Sequence, residues 1–481
     1  MHRSIHNYRY LLTFGALLCA FGCAPAIQSE AADGNEWTNH DDHLESYPRM
    51  GALLDEYWPE SARGSLPVNP DLSVVRDING DQRDDLILYN DIGVVVIGLS
   101  NGLTVFDTTD VLTFTWLEPI PVASYDSLLL ADVTGDGRQE FIINELDRIT
   151  IHTLDENSSK LREFASIGAG DNPNMSPKPA VVCHVSQRYF ADMTGDGRAD
   201  LICPAGAISD NEVIEGIFDI FLTVYPLQAD GSLGEARRTK ACETCGLGRL
   251  RFGDFDGDGN RDLVALRTAI DTSTPGETKY SVVVHYGDGA GGFSQAVQVG
   301  GDEYLGSNPK VADFDGDGRD DIVLQFEPCY SQDCSETDES FVDGAVPTVF
   351  YGGVDRKFDR SQSDDANLVI HNKVGNFTQL VEDDQVTVGD LDGDGLDELI
   401  LLGSDKDIVD RTHIYNPGYL RILKGSSKGL EFSSNTLILD RYEYLLRGRP
   451  EILAGDFAGN GRAQLLLVEP NTTSYRNFRL K

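Results

Sequence analysis

Residues 254–263 read DFDGDGNRDL, with acids at positions 1, 3, 5 and 9 of the stretch and glycines at positions 4 and 6. Glycine lets the backbone turn tightly enough for oxygens at positions 1, 3 and 5 to converge on one point. A carbonyl at position 7 and the acid at position 9 complete an all-oxygen shell of the kind calcium takes. Without a cation, so many carboxylates at close range repel one another strongly. The pattern recurs as DINGDQRDDL from Asp77, DVTGDGRQEF from Asp132, DMTGDGRADL from Asp192, DFDGDGRDDI from Asp313, DLDGDGLDEL from Asp390 and DFAGNGRAQL from Asp456. The seven copies stand roughly 60 residues apart, the signature of a repeat architecture.

An EF-hand requires a bidentate Glu at position 12 and a helix on either side. Position 12 here is Leu88, Ile143, Cys203, Ala265, Leu324 or Leu401 in the first six copies. The motif is succeeded by a short β-type run, such as LILYN from Leu86, LVALR from Leu263 or LILLG from Leu399. The loop therefore joins two strands. Further on, VVVHYGDGAGGF from Val282 and LRILKGSSKGLEF from Leu420 read as a third and fourth strand joined by a hairpin. Each repeat becomes a four-stranded antiparallel sheet, and seven such sheets bury their faces by packing round an axis. The predicted fold is an all-β, seven-bladed β-propeller with calcium-binding loops.

The ligand sets differ between copies. Four carboxylates occur in each of three loops: Asp254, Asp256, Asp258 and Asp262; Asp313, Asp315, Asp317 and Asp321; Asp390, Asp392, Asp394 and Glu398. These are expected to bind tightest. Three carboxylates and a neutral oxygen occur in the others: Asp77, Asn79, Asp81 and Asp85; Asp132, Thr134, Asp136 and Glu140; Asp192, Thr194, Asp196 and Asp200. The seventh copy keeps Asp456 and Asn460 but has Ala458 and Gln464, so it is expected to be held by hydrogen bonds alone. About six calcium ions is the expected complement.

The chain has 39 Lys and Arg against 79 Asp and Glu, a formal charge of −40 over 481 residues. Such a surface repels nucleic acid and anionic lipid, and favours cations or neutral polymers. Arg3 and Arg9 precede an apolar run from Leu11 to Phe21, which is too short to span a bilayer and suits an export signal over residues 1–22. Ala20-Phe21-Gly22-Cys23 looks like a bacterial lipobox that would lipidate Cys23, and cleavage after Ala26 is the alternative, giving a secreted protein. Residues 23–70 read as a polar acidic tether, and residues 71–481 as the propeller. The expected place is extracytoplasmic, as a bacterial outer-membrane or cell-surface lipoprotein or otherwise secreted. Beyond the signal region lie Cys183, Cys203, Cys242, Cys245, Cys329 and Cys334, an even set that suggests disulfides in an exported chain. Cys242 with Cys245 and Cys329 with Cys334 are close enough to staple small loops, and Cys183 and Cys203 flank one motif copy.

The repeat with its flanking strands resembles the FG-GAP or VCBS type found in the integrin α-chain head and in many bacterial surface proteins. That resemblance covers roughly residues 71–481 and implies a seven-bladed propeller with calcium in the loop between the first two strands of a blade. The seventh copy is followed by little sequence, so a strand from within residues 60–70 is expected to complete the last sheet. In such a meander the motif loops and the hairpins share one face. The long stretches at 168–186, 204–216, 238–248, 268–279, 326–346, 366–384 and 404–417 then fall on the other, which reads as the rim for a ligand. No nucleophile elbow, zincin or P-loop string occurs. His152 and His285 hold equivalent places in third strands, while His184, His371 and His413 lie in or near long stretches. Tyr304, Tyr330, Tyr415, Tyr419 and Trp58 are aromatics that could stack on sugars. The expected function is a non-catalytic binding or adhesion module for an extracellular protein or glycan. A polysaccharide-degrading lyase on the same scaffold and a structural envelope protein are the alternatives.

Overall fold

The computed structural model describes residues 62–478 other than 71, 91–93, 107–108, 118, 122–127, 156–159, 171–179, 184–187, 208–217, 271–277, 301–308, 327–345, 361–385, 405–408, 411–412, 415–417, 440–450 and 469–472. The expected export signal, Cys23, the tether before residue 62, Cys329 and Cys334 lie outside these residues. So do Trp58, Tyr304, Tyr330, Tyr415, His184 and His371.

The described residues form antiparallel sheets in which each motif joins a first strand to a second. Copy one builds Leu72–Arg76, Asp85–Asn90, Val94–Phe106 and Thr109–Trp116 in that spatial order. Copy five gives Lys310–Ala312, Asp321–Phe326, Val346–Tyr351 and Asp359–Arg360, and copy six Val386–Gly389, Glu398–Ser404, Gly418–Lys424 and Glu431–Leu439. In copy two a short strand, Val181–Val182, adds in parallel to the outer strand Lys160–Gly170. The second strands read as near-continuous apolar runs because both faces are covered: all six residues of Asp85–Asn90 are buried.

The described residues form six blade sheets, which corrects the expected seven. Copies three and four share one seven-stranded sheet through a single strand, Arg237–Gly253. Its first part pairs with Phe218–Tyr225 as an outer strand, and its second part pairs with Asp262–Ile270 as an inner one. Cys245 stands at the hand-over, opposite Phe218 on one side and Ala269 on the other. The segment contains no proline to end the pairing. A bulge between Gly248 and Arg251, with Arg249 at φ 53°, turns the strand instead of breaking it. Residues 238–248, expected as an irregular loop, are therefore strand.

The last sheet is completed from the other end of the chain. Ala62–Ser65 pairs antiparallel with Ser474–Phe478, Ala62 opposite Asn477 and Ser65 opposite Ser474, so propeller residues begin before residue 71. Gly64 admits this contact: a Cβ there would lie 2.0 Å from the Tyr475 ring. The Tyr475 hydroxyl donates to the Leu112 carbonyl at 2.7 Å, tying this sheet to that of copy one.

The cores lie between successive sheets. Position 2 of every motif copy is buried, at Ile78, Val133, Met193, Phe255, Phe314, Leu391 and Phe457, and all but Leu391 belong to one of these cores. Phe255, for instance, packs with Val284 and Tyr286 of its own sheet and with Ile322, Leu324 and Phe350 of the next. A disulfide between Cys183 and Cys203, Cα atoms 5.8 Å apart, joins the edge of the copy-two sheet to the second strand of copy three. A second joins Cys242 and Cys245 at the strand hand-over. Both join cysteines that the sequence offers as bridge candidates, one pair close in sequence and one flanking a motif copy.

Candidate metal centre

Each motif loop is organised by its first carboxylate. In copy four Asp254 accepts the Gly257 and Gly259 amides on its two oxygens, at 2.8 and 2.9 Å. Gly257 and Gly259 have φ of 72° and 84°, the left-handed region that a residue with a Cβ enters only under strain. The position-5 carboxylate accepts the position-7 amide, as Asp258 does from Asn260 at 2.9 Å. Related bonds hold Asp77, Asp132, Asp192, Asp313 and Asp390 at the heads of their loops.

Position 9 is the deepest carboxylate of the loop. Asp85, Glu140, Asp200, Asp262, Asp321 and Glu398 are 0–3 % exposed. Each accepts the position-2 amide across the loop, as Asp321 does from Phe314 at 3.0 Å. In four copies the other oxygen takes an amide from the hairpin side of the sheet: Ser100 to Asp85, Leu227 to Asp200, Gly287 to Asp262 and Gly352 to Asp321. Motif loop and hairpin thus meet on one face, as expected. Burial drives these carboxyls up to about 7 in Asp85, Glu140, Asp262, Asp321 and Glu398 and to about 6 in Asp200, against the lowering effect of the amides.

Among the described residues, ligand atoms of three acids converge within 4.8 Å in three places: Asp254 with Asp256 and Asp262, Asp313 with Asp315 and Asp321, and Asp390 with Asp392 and Glu398. These are the three loops richest in acid. The sequence places the fifth position in the same ligand sets, and the structure does not bring Asp258, Asp317 or Asp394 into the trios. Glu398 has one buried oxygen, Oε1, with no hydrogen-bond partner among the described residues. A hard divalent cation fits an all-carboxylate trio with a buried acceptor to spare. In the first two copies the neutral position-3 group bonds locally: Asn79 accepts the Asp81 amide at 2.9 Å, and the Thr134 hydroxyl donates to Glu140 at 3.2 Å. The seventh loop keeps its shape with Asp456 as its one acid. Asp456 accepts the Asn460 and Gly461 amides, and the buried Gln464 donates to the Arg462 carbonyl.

Two features were not read from the sequence. The first links loop to loop: the position-8 amide donates to the position-1 carbonyl of the preceding copy at Asp84 to Asp456, Ala199 to Asp132, Asp320 to Asp254, Asp397 to Asp313 and Ala463 to Asp390. Where position 8 is Asp84 or Asp320, its carboxylate also accepts the amide of that first residue, at 2.7 Å in both cases. The recurrent acid just before position 9 in RDDL, RDDI and LDEL was the available signal. The second is a set of basic partners. Arg356, from the hairpin of copy five, lies 2.8 Å from Asp256 and 3.7 Å from Asp258 of copy four. Lys424, ending the third strand of copy six, pairs with Asp392 and, at 3.0 Å, with Asp394. Arg198 and Arg319 pair with the position-5 acids Asp196 and Asp317 of their own loops.

The histidines at equivalent positions are confirmed as repeat positions: His152 stands opposite Phe141 and His285 opposite Leu263, both residues at position 10 of the motif. Tyr419 and His413 lie in the strands Gly418–Lys424 and His413–Ile414. No helix among the described residues is long and apolar enough to cross a membrane.

Residues 254–324 match the family model of the FG-GAP-like repeat. None of the curated proteins matches the chain. Among solved structures, the chain is similar to an Agrocybe aegerita lectin described for specific recognition of non-reducing terminal N-acetylglucosamine, at 16% identity, covering 86% of each chain, with a TM-score of 0.44. It is similar to BBS1N, solved in complex with ARL6DN, at 9% identity, covering 88% of this chain and 97% of that one, with a TM-score of 0.41. It is also similar to an exotype rhamnogalacturonan lyase at 13% identity, covering 88% of this chain and 74% of that one, with a TM-score of 0.40. At these scores none of the three decides what this chain binds. The match makes residues 254–324 an FG-GAP-like repeat, and the spaced copies of the same loop with the sheets that they join make the fold a β-propeller built on repeats of that kind.

Proposed function

We propose that the protein is an exported, calcium-binding propeller that acts outside the cytoplasm as a non-catalytic module, binding an extracellular protein or glycan. The observation that carries this reading is the convergence of three carboxylates in each of three loops on the hairpin face. Calcium would be held by Asp254, Asp256 and Asp262, by Asp313, Asp315 and Asp321, and by Asp390, Asp392 and Glu398. The three-acid loops headed by Asp77, Asp132 and Asp192 would be weaker sites. The ion supplies positive charge that relieves repulsion among the acids. The chain supplies the rest: amides that aim the first carboxylate, and a buried ninth that ties loop to hairpin.

The connections between second and third strands support the assignment of the ligand to the other face. They run from 145–147 in one sheet to 327–345 in another, while the motif loops hardly vary in length. A constant face beside a variable one is how a scaffold carries recognition. The two disulfides support an oxidising, extracytoplasmic location, with lipidation at Cys23 as the proposed anchor.

A glycan-array and cell-surface binding screen in calcium and in excess chelator tests the reading. Saturable binding in calcium without turnover is the expected result. Shortening of a glycan in the same wells would replace it with a lyase, and absence of binding in both conditions would leave a structural envelope role.

A further inference from the structure

The three acid-rich loops are alike in sequence, yet their acids are not equally free. In loop four the guanidinium of Arg356 reaches across from the next sheet, 2.8 Å from Asp256 and 3.7 Å from Asp258. Arg356 is held there at φ 61°, with its guanidinium carbon 4.8 Å from the centre of the buried Tyr286 ring. In loop six the Lys424 ammonium pairs with Asp392 and Asp394. Both cations reach position 3, and position 3 belongs to the converged trio. In loop five the ion pairs among the described residues are that of Arg319, inside the loop, with Asp317 at position 5 and that of Arg261 with Asp320 at position 8, 3.5 Å away, and both acids lie outside the trio.

We infer that Arg356 and Lys424 are built-in counter-cations that compete with a divalent ion at loops four and six, so that loop five fills first. The inference rests on the calcium reading above. A fixed positive charge against a ligand oxygen opposes a second cation by direct repulsion, and it takes up a lone-pair direction that the ion would use. The acid count, which ranks the three loops as equals, is thereby split by groups far away in sequence. Arg356 has a further effect, because it belongs to the hairpin of one sheet and the acids to the loop of another. Occupation of loop four loosens the hold of the Gly353–Arg356 turn on its neighbour.

Calcium titration of the full chain followed by hydrogen exchange resolves the loops separately, since each has amides bonded to its first carboxylate. In the wild type, protection of 313–321 should rise at lower calcium than that of 254–262 or 390–398. Arg356→Asn, chosen because asparagine tolerates positive φ, should lower the midpoint of 254–262 by at least about fivefold and leave the other two in place. Lys424→Gln should do the same for 390–398 alone. Arg356→Lys, which keeps the charge, should stay near wild type and so separate charge from loop shape. Equal wild-type midpoints, or variants that leave their own loops unmoved, overturn the inference while calcium binding stands. Calcium that protects none of the loops overturns the calcium reading and the inference with it.

Discussion

At the scale of the residue, the ninth motif position does the most structural work. Asp321 satisfies the amides of Phe314 and Gly352 from a buried position. Asp321→Ala leaves two amides without a partner, at about 1–3 kcal/mol each; denaturation midpoints should fall accordingly, and Asp321→Asn, which keeps an acceptor, should lose less. Another buried residue adds its own contribution to the response to acid. His285 is buried, which lowers its pKa, although its Nδ1 lies 3.1 Å from the Ser294 carbonyl. The unfolded chain therefore takes up a proton near the ordinary imidazole value of about 6.5 before the folded chain does. The stability tied to the neutral ring is complete above that value and is lost as pH falls below it. Denaturation of wild type and His285→Phe between pH 7 and 5 should show the wild type losing stability relative to the variant as the pH falls.

At the scale of the element, glycine at position 4 and the side chain at position 7 of the next copy form a repeated contact. A Cβ on Gly257 would meet Arg319 Cγ at 2.9 Å, one on Gly135 would meet Arg198 at 2.9 Å, and one on Gly459 would meet Arg83 at 2.9 Å. Around Gly259, of similar φ, there is open space. Gly259→Ala should cost about 1–2 kcal/mol for its left-handed backbone, and Gly257→Ala more, the difference in thermal denaturation reporting the contact between sheets. The two glycines were equally visible in the sequence, and their difference was not, because Arg319 belongs to the following repeat. The same holds for the joined sheet of copies three and four. Periodicity showed the strands on either side of each motif, since alternation and turn residues act over a few positions, but it read 238–248 as irregular where they are strand. It could not show that Arg237–Gly253 serves two neighbours, because that depends on which edges lie alongside it. The sequence showed where the acids stand in each loop; which three of them converge, and their ion pairs with Arg356 and Lys424, depend on the folded backbone and on neighbouring sheets and were not legible.

At the scale of the whole molecule, the proposed metal sites would couple ion binding to folding. If the loops bind ions only when folded, each occupied loop adds roughly 1.4–2.7 kcal/mol at ~10 mM calcium for a site of ~0.1–1 mM affinity. Thermal unfolding should move to higher temperature with calcium and return on addition of chelator. The closing pair of strands should matter as much. Gly64→Val places a branched side chain against Tyr475, and unfolding should become less cooperative as Ala62–Ser65 leaves Ser474–Phe478. That pairing also settles a question of chain order. With Ala62 beside Asn477, the two ends of the folded unit are neighbours, and the ring of sheets has no topological beginning. A short linker could join those ends and new termini could be opened at 145–147, between two strands that stay paired through their own ladder. The order in which the ribosome delivers the sheets would then be a matter of choice, and the completed circle would be the same.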